Sequence, residues 1–290
     1  MYVGMYEVEV GCLDAPQPCL GKPELLFTSG SNSIRFHSWS PDGQKVVYEH
    51  EDNVFIADWN GKNATKISTS PSYSGWPVWM SNGQEIAYQT NGTEGYHVDR
   101  LGVGVFPLIF MISDLTGRNQ KIFAKQEALE KKGNFGAPFG LDWSPNGKNI
   151  VFQATKNNTI PALNQIFNYD LKTDQVKLIS DAETGSYNPS FSPDGQWIIF
   201  TSDSRVYYAH ADDGALLVKA FTQTNDKTVI YDATKDSYEW LSIPRWSPMG
   251  NWISFVMNDD IYIIRSDGTQ LINVTHSPSI ENYPNWRIAH

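Results

Sequence analysis

The chain has 290 residues, a formal net charge of −10 and an aromatic content of 13%. Hydrophobic residues make up 40% of the sequence and charged residues 19%, a balance that excludes global disorder. The acidic balance argues against a nucleic-acid partner, and no apolar stretch is long enough for membrane insertion. The abundant aromatic side chains favour β-structure.

The first predicted elements are two short strands, Tyr6–Val10 and Glu24–Thr28, which flank a proline-rich loop. This loop holds the only two cysteines of the chain, Cys12 and Cys19. We predict a disulfide between them, which would indicate an extracytoplasmic protein, because cytosolic thiols stay reduced. Free thiols and a metal site are the alternatives, although a metal needs more ligands than two sulfurs. Residues 1–6 lack the charged region and cleavage site of a signal peptide, so we expect none in this chain.

A five-residue pattern, in its commonest form aromatic-Ser-Pro-Asp/Asn-Gly, then recurs at intervals of 40 to 64 residues. Pro presets φ, Asp or Asn bonds its own backbone, and Gly accepts a positive φ, so the pattern predicts a tight turn. A further copy begins at Trp286. The complete copies are Trp39–Gly43, Trp79–Gly83, Trp143–Gly147, Phe191–Gly195 and Trp246–Gly250.

Each turn is preceded by a strand that carries the aromatic residue and followed by three apolar runs, so each repeat holds four strands, a to d. In the fourth repeat the sequence predicts strand c at Ser204–His210. Four antiparallel strands at this period are typical of a propeller blade, whereas a β-sandwich gives no reason for the repeated turn. We therefore predict an all-β fold, one domain over residues 1–290, built as a six-bladed β-propeller of four-stranded antiparallel blades. The blades are predicted to start near Phe36, Trp76, Phe139, Tyr187, Ile243 and Tyr283.

We expect the ring to be closed by both termini in the sixth blade. The segment that starts near Tyr283 would supply its first strand, and residues 5–29 would complete it with strands c and d. Such closure removes the exposed edges of the sheets. The sequence shows no clear second strand for this blade.

The repeated [WF]-S-P-[DN]-G unit, with the strand and Asp-Gly turn that follow it, resembles the TolB-like six-bladed β-propeller repeat. Related repeats form the propeller domains of prolyl-oligopeptidase and dipeptidyl-peptidase proteins. The resemblance covers nearly the whole chain and implies a fold, since the motif builds the blade rather than a site. It also implies a protein-binding module of the bacterial cell envelope, periplasmic or secreted. TolB has an additional N-terminal domain, for which we expect no counterpart here.

Chain direction places the a–b and c–d turns of a propeller on one face and the d–a and b–c loops on the other. The longest segments, Thr90–Gly104, Ala124–Phe139 and Thr155–Gln165, belong to the second face, and Ala220–Leu241 is assigned with them. Because binding residues tend to lie on variable loops, we expect the ligand at the channel mouth on this face.

Strand a lines the channel in such folds, and its polar and aromatic residues suit a peptide segment or a sugar. The residues directly before each motif aromatic are Ser38, Val78, Asp142, Ser190, Arg245 and Asn285. The predicted binding residues are His37, Trp76, Asp142, Tyr187, Asn188, Arg245, Tyr283 and Asn285.

The b–c insertion carries His97, Asp99 and Arg100 together, for which a metal or acid–base role and a solvated loop tip are the alternatives. The Asp-rich turns Asp212–Gly214 and Asn258–Asp260 raise calcium as an alternative, but neither matches the EF-hand loop pattern. We therefore expect no metal and no cofactor.

None of the 22 glycines begins a Gly-x-Ser motif, which excludes the nucleophile elbow of the related peptidases from this chain. We predict a non-catalytic, monomeric propeller that binds a protein or peptide on its d–a/b–c loop face. One alternative is a carbohydrate-binding or channel-site enzyme of the lyase or glycosidase type. Another is a propeller domain separated from a larger sensor or peptidase.

Overall fold

The fold is given by a computed structural model, which describes residues 4–11, 19–28, 34–70, 73–91, 97–98, 104–105, 108–133, 135–136, 138–155, 163–203, 216–235, 240–276 and 280–288. These residues form an all-β structure with one short α-helix and one 3-10 helix. Among them, no helix has the length and apolar character needed to cross a bilayer.

The N-terminal part of the chain forms four short strands. They are β1 (Gly4–Glu7), β2 (Val10–Gly11), β3 (Cys19–Leu20) and β4 (Glu24–Thr28). Strand β1 pairs with β4 and β2 pairs with β3, both antiparallel. The predicted strand Glu24–Thr28 is confirmed, whereas the predicted Tyr6–Val10 is wrong in its bounds, because that segment is divided between β1 and β2.

Five four-stranded antiparallel sheets follow, which we call blades 1 to 5. Blade 1 consists of β5 (Arg35–Trp39), β6 (Lys45–His50), β7 (Asn53–Asp58) and β8 (Thr65–Lys66). Blade 2 consists of β9 (Ser74–Trp79), β10 (Glu85–Asn91), β13 (Leu108–Asp114) and β14 (Gln120–Lys125), with the hairpin β11 (His97–Val98) and β12 (Gly104–Val105) inserted. Blade 3 consists of β15 (Phe139–Trp143), β16 (Asn149–Thr155), β17 (Asn164–Asp170) and β18 (Gln175–Leu178).

Blades 4 and 5 repeat the same order. Blade 4 consists of β19 (Gly185–Phe191), β20 (Trp197–Asp203), β21 (Leu216–Phe221) and β22 (Lys227–Asp232), followed by a 3-10 helix, Ala233–Lys235. Blade 5 consists of β23 (Leu241–Trp246), β24 (Trp252–Met257), β25 (Asp260–Arg265) and β26 (Ile272–Asn273). The third strand of blade 4 is β21, and the predicted strand Ser204–His210 lies entirely outside the described residues.

Two segments that the sequence assigned to loops contain regular secondary structure instead. Helix α1 (Gln126–Gly133) follows blade 2, and the side chains of Leu129 and Phe135 are buried against blade 3. The segment Ala220–Leu241 holds the end of β21 and all of β22. In both places apolar side chains find a buried surface that local turn signals do not reveal.

Apolar clusters between neighbouring sheets hold the blades together. Separate clusters join blades 1 and 2, 2 and 3, 3 and 4, and 4 and 5. A further cluster packs Met5, Leu26 and Phe27 of the N-terminal strands against blade 1. Full burial of a large side chain such as Phe152 contributes about 2–3 kcal/mol, so the faces between blades supply most of the stability.

The first strands of successive blades contact one another, β5 with β9, β9 with β15, β15 with β19 and β19 with β23. They are therefore the innermost strands, around a central channel. The repeated five-residue turns end these strands at one face. The glycine of each turn has a positive φ, as at Gly43 (65°) and Gly195 (70°).

The predicted count of six blades is wrong for the described residues, which contain five four-stranded blades. The sixth repeat contributes the β1–β4 pair and the segment 280–288, which has no strand assignment. Among the described residues, no strand pairs with that segment. Within it, the side chain of Asn285 accepts a hydrogen bond from the backbone N–H of Trp286. Closure of the ring by both termini stays a prediction.

Candidate functional site

A cavity of about 140 Å³ lies in the channel where the first strands converge. Every repeat contributes to its wall the residue directly before the motif aromatic. These residues are Ser38, Val78, Asp142, Ser190, Arg245 and Asn285. The segment 280–288 therefore takes part in the channel wall although it forms no strand.

Each repeat contains a residue with a positive φ three positions before the motif aromatic. The six residues are Phe36 (37°), Trp76 (52°), Gly140 (62°), Asn188 (55°), Ile243 (51°) and Tyr283 (57°). The strand register shifts at this point in all five blades. A positive φ is costly for bulky side chains, so surrounding contacts must hold these bulges in place.

Side chains of the preceding blade bond to the backbone at two of the bulges and beside a third. The backbone N–H of Trp76 donates to Glu49 Oε2 (3.2 Å), and the N–H of Asn188 donates to Gln153 Oε1 (2.6 Å). Two residues before the bulge residue Gly140 of blade 3, the carbonyl of Pro138 accepts a hydrogen bond from Gln89 Nε2 (3.0 Å). The three residues that supply these side chains each directly follow an aromatic residue of strand b. This repeated position is a sequence signal that could have identified them.

Three aromatic rings from successive repeats meet at the loop side of the cavity. Phe36 stacks on Trp76 with ring centroids 3.6 Å apart, and Tyr283 meets Phe36 edge-on at 4.6 Å. Phe36 and Trp76 line the cavity and both are partly exposed. We call these three residues the aromatic rim.

The Asp142 carboxylate, on the cavity wall, is committed to backbone groups. Oδ1 accepts the N–H of Trp143 and Oδ2 accepts the N–H of Phe191, each at 2.8 Å. Burial raises the pKa of Asp142, while the charge of Arg245 and the hydrogen bonds from Phe191, Ser190 and Trp143 oppose that rise. Asp142 thus joins blades 3 and 4 as well as lining the cavity.

Arg245 and His37 bring basic groups to the same cavity. Arg245 Nη1 donates to the carbonyl of Pro244 (2.8 Å), and no carboxylate among the described residues lies within 4 Å of its guanidinium. Burial lowers the pKa of Arg245, and Asp142 counteracts this. Burial and then the charge of Arg245 lower the pKa of His37 to about 4, so its imidazole is neutral at pH 7.

Asn285 and Trp286 connect the C-terminal segment to the blades on either side of it. Asn285 Nδ2 donates to the carbonyl of His37 in blade 1 (2.7 Å), and Trp286 Nε1 donates to the carbonyl of Arg245 in blade 5 (3.2 Å). Both bonds lie beside the cavity, so the sixth repeat positions two of its neighbouring wall residues.

The structure therefore brings five of the predicted binding residues to one cavity, His37, Trp76, Asp142, Arg245 and Asn285. Tyr283 belongs to the aromatic rim, whereas Tyr187 and Asn188 are buried within blade 4 and do not line the cavity. Phe36 and Pro77 are wall residues that were not predicted as binding residues.

Most of the other predicted site residues lie outside the described part of the chain. The backbone of His97 lies in β11, while Asp99, Arg100 and Cys12 lie outside the described residues, as do the Asp-rich residues 212–214. Within the described part of the chain, no three His, Cys, Asp or Glu side chains cluster as metal ligands would. The pairing of Cys12 with Cys19 stays a prediction.

A second cavity, of about 360 Å³, lies on the turn face between blades 4 and 5. Trp197, Lys219 and Met249 contribute to its wall. Only two repeats build this cavity, whereas all six contribute to the channel cavity, so the channel is the stronger candidate for the principal site.

Comparisons with known proteins agree with this architecture. Residues 221–285 match the family described as dipeptidyl peptidase IV (DPP IV) N-terminal region. The chain is 22% identical over 182 residues to "Uncharacterized peptidase YuxL" of Bacillus subtilis (strain 168), across 61% of this chain but only 23% of YuxL. It is 22% identical over 226 residues to "Uncharacterized protein Atu1656" of Agrobacterium fabrum (strain C58), across 76% of this chain and 68% of that protein.

Solved structures show the same fold at low sequence identity. A protein described as TolB from Agrobacterium tumefaciens has a TM-score of 0.65 at 16% identity, covering 93% of this chain and 89% of that one. TolB from Acinetobacter baumannii has the same TM-score and identity over 95% of this chain and 64% of that one. An oligogalacturonate lyase in complex with manganese gives 0.55 at 14% identity, over 98% and 78%. The chain therefore has a TolB-like β-propeller fold.

Proposed function

We propose that this protein is a non-catalytic binding propeller that holds an extended peptide segment of a partner protein at the loop-side mouth of its channel. One observation carries the proposal. The aromatic rim lies beside a cavity to which every repeat contributes a wall residue.

The chemistry of this mouth suits a peptide. Aromatic faces contact apolar side chains over a large area at low entropic cost, and polar wall groups can bond a peptide backbone. The 140 Å³ cavity admits a side chain but not a folded element, so we expect a segment laid across the mouth with one side chain inserted.

The titratable groups of the cavity favour binding over acid–base catalysis. Both oxygens of Asp142 already accept backbone hydrogen bonds, which weakens it as a general base. The pKa of His37, lowered to about 4, lies far from the neutral value that suits proton transfer at pH 7.

We further propose that the protein acts as a monomer in an extracytoplasmic compartment. The predicted Cys12–Cys19 disulfide supports this location, because disulfides persist in oxidising compartments. The TolB-like fold is compatible with it.

The second candidate is a propeller that binds or cleaves an acidic sugar in its channel. The observation that favours it is the presence of His37 and Arg245 in one cavity. Aromatic faces also bind sugar rings, so the aromatic rim does not separate the two candidates.

A selection experiment tests the peptide proposal. A random linear peptide library displayed on phage is selected on the immobilised protein, and the enriched peptides are measured by fluorescence anisotropy against the wild type and two variants. Trp76→Ala removes a rim residue and should weaken binding at least tenfold. Met249→Ala, on the opposite face, is the matched control and should leave the dissociation constant unchanged.

Two results would contradict the proposal. One is enrichment of no peptide from the library, combined with binding of oligosaccharides on a glycan array, which would favour the second candidate. The other is a set of peptides whose affinity depends on Met249 and is indifferent to Trp76.

A further inference from the structure

The channel cavity has more hydrogen-bond donors than its own acceptors satisfy. Guanidinium carries five N–H donors, and Arg245 uses one on the carbonyl of Pro244. Among the described residues no other acceptor bonds to it, and no carboxylate reaches it within 4 Å. A cation in this position remains able to bind an incoming group.

The carboxylate and amide acceptors on the cavity wall, at Asp142 and Asn285, already accept hydrogen bonds. Both oxygens of Asp142 accept backbone N–H groups, and the hydroxyl of Ser190 also bonds to this carboxylate. Asn285 accepts the N–H of Trp286 and donates to the carbonyl of His37. These two side chains therefore offer little to a ligand that needs acceptors, such as an ammonium group.

Two neutral groups complete the cavity without adding negative charge. Ser38 Oγ accepts the N–H of Trp79 (3.0 Å), which leaves its hydroxyl hydrogen free to donate. His37 is uncharged at pH 7, so it does not compete with Arg245 as the cationic anchor. The remaining charge opposing an anion is Asp142, whose interaction with Arg245 is electrostatic and not a direct ion pair.

We propose that the channel cavity binds a carboxylate, with Arg245 as its charged anchor. This deepens the proposed function, on which its biological meaning rests, by specifying that the inserted group of the bound peptide is acidic: an Asp or Glu side chain or a C-terminal carboxylate. Arg is suited to this role because its planar fork matches carboxylate geometry and keeps its charge when buried. The cavity of about 140 Å³ has room for such a group together with a few waters.

Small probes test the inference without any peptide. Uniformly ¹⁵N-labelled protein is titrated with sodium acetate at constant ionic strength, and the Nε–Hε signal of Arg245, assigned from its loss in Arg245→Gln, is followed by NMR. Acetamide is the neutral probe of the same shape and methylammonium chloride is the cationic one. We expect saturable shifts with acetate and at least tenfold weaker binding of both other probes.

Two variants complete the design. Arg245→Gln should abolish saturable binding of acetate, as followed on the backbone amides of the channel. Asp142→Asn removes the opposing negative charge and should tighten acetate binding several-fold, a gain that a folding defect cannot produce.

Equal shifts with acetate and acetamide, or unchanged acetate affinity in Arg245→Gln, would overturn the carboxylate site. These outcomes are independent of the peptide selection. Peptides that bind through Trp76 while acetate fails would refute the carboxylate inference alone, whereas acetate binding without any selected peptide would refute the proposed function alone.

Discussion

At the residue scale, His37 shows how the channel changes the chemistry of one side chain. Burial and the nearby charge of Arg245 lower its pKa from 6.5 to about 4. Between these values the folded protein binds fewer protons at His37 than the unfolded chain does. His37 therefore contributes stability that is fully present above pH 6.5 and is lost as the pH falls through about 4.

We expect the free energy of unfolding to reflect this linkage. The lowered pKa of His37 corresponds to at most about 3 kcal/mol in the free energy of unfolding. Urea unfolding of the wild type and His37→Asn at pH 7 and pH 4.5 should show a smaller loss of stability in the variant. Since Glu49 and Asp142 have raised pKa values that act in the opposite direction, the difference between the two proteins is the meaningful quantity. Equal losses would mean that His37 titrates normally.

At the element scale, the five turns are built alike with one exception. In four of them the fourth motif residue accepts, through its side-chain oxygen, the backbone N–H two positions later. The bonds run from Gln44 to Asp42 (3.1 Å), Gln84 to Asn82 (2.9 Å), Lys148 to Asn146 (2.9 Å) and Gln196 to Asp194 (2.9 Å). The fifth turn has Met249 there, 83% exposed and unable to form this bond.

Replacing Met249 with Asp should restore the missing turn bond. The backbone of the turn is already formed, since the N–H of Gly250 donates to the carbonyl of Ser247 (2.8 Å). We expect Met249→Asp to raise the free energy of unfolding by about 0.5–1 kcal/mol in chemical denaturation. Met249→Ala removes the exposed side chain without adding an acceptor and should give no gain. An equal gain in both variants would show that the turn bond is not the cause.

At the scale of the whole molecule, Arg287 links the two ends of the chain. Its Nη2 contacts both oxygens of Glu7 (2.5 and 2.6 Å), and its guanidinium lies over the rings of Trp39 (5.5 Å) and Trp59 (5.1 Å). The contact therefore joins β1, the C-terminal segment and blade 1. It is a direct contact between the N-terminal strands and the C-terminal segment, which the predicted ring closure brings together.

A double-mutant cycle measures this link. Glu7→Gln, Arg287→Met and the double variant are unfolded in urea, and the coupling free energy should be about 1–2 kcal/mol, typical of a charge-assisted hydrogen bond that is partly buried. Additive effects of the two substitutions would mean that the termini do not support each other.

The sequence predicts much of this fold because the repeated turn is a local signal. Its Pro, Asp or Asn and Gly each act within a few residues, so the start of every blade and the six wall positions before the motif aromatic could be read directly. The place of Glu49 and Gln153 directly after an aromatic residue is a sequence signal, but their bulge contacts could not be predicted, because these contacts join strands that meet only after folding. Helix α1 was missed since its stability comes from packing against blades 2 and 3.

Photo-cross-linking shows whether a bound peptide lies at the loop-side mouth of the channel, as we propose. A selected peptide is made with p-benzoylphenylalanine at one position at a time and is irradiated together with the wild-type protein. The cross-linked residues are then identified by mass spectrometry. We expect cross-links to Phe36, Trp76 and Tyr283 of the aromatic rim. Cross-links confined to the turn face, around Pro193 and Met249, would contradict this proposal.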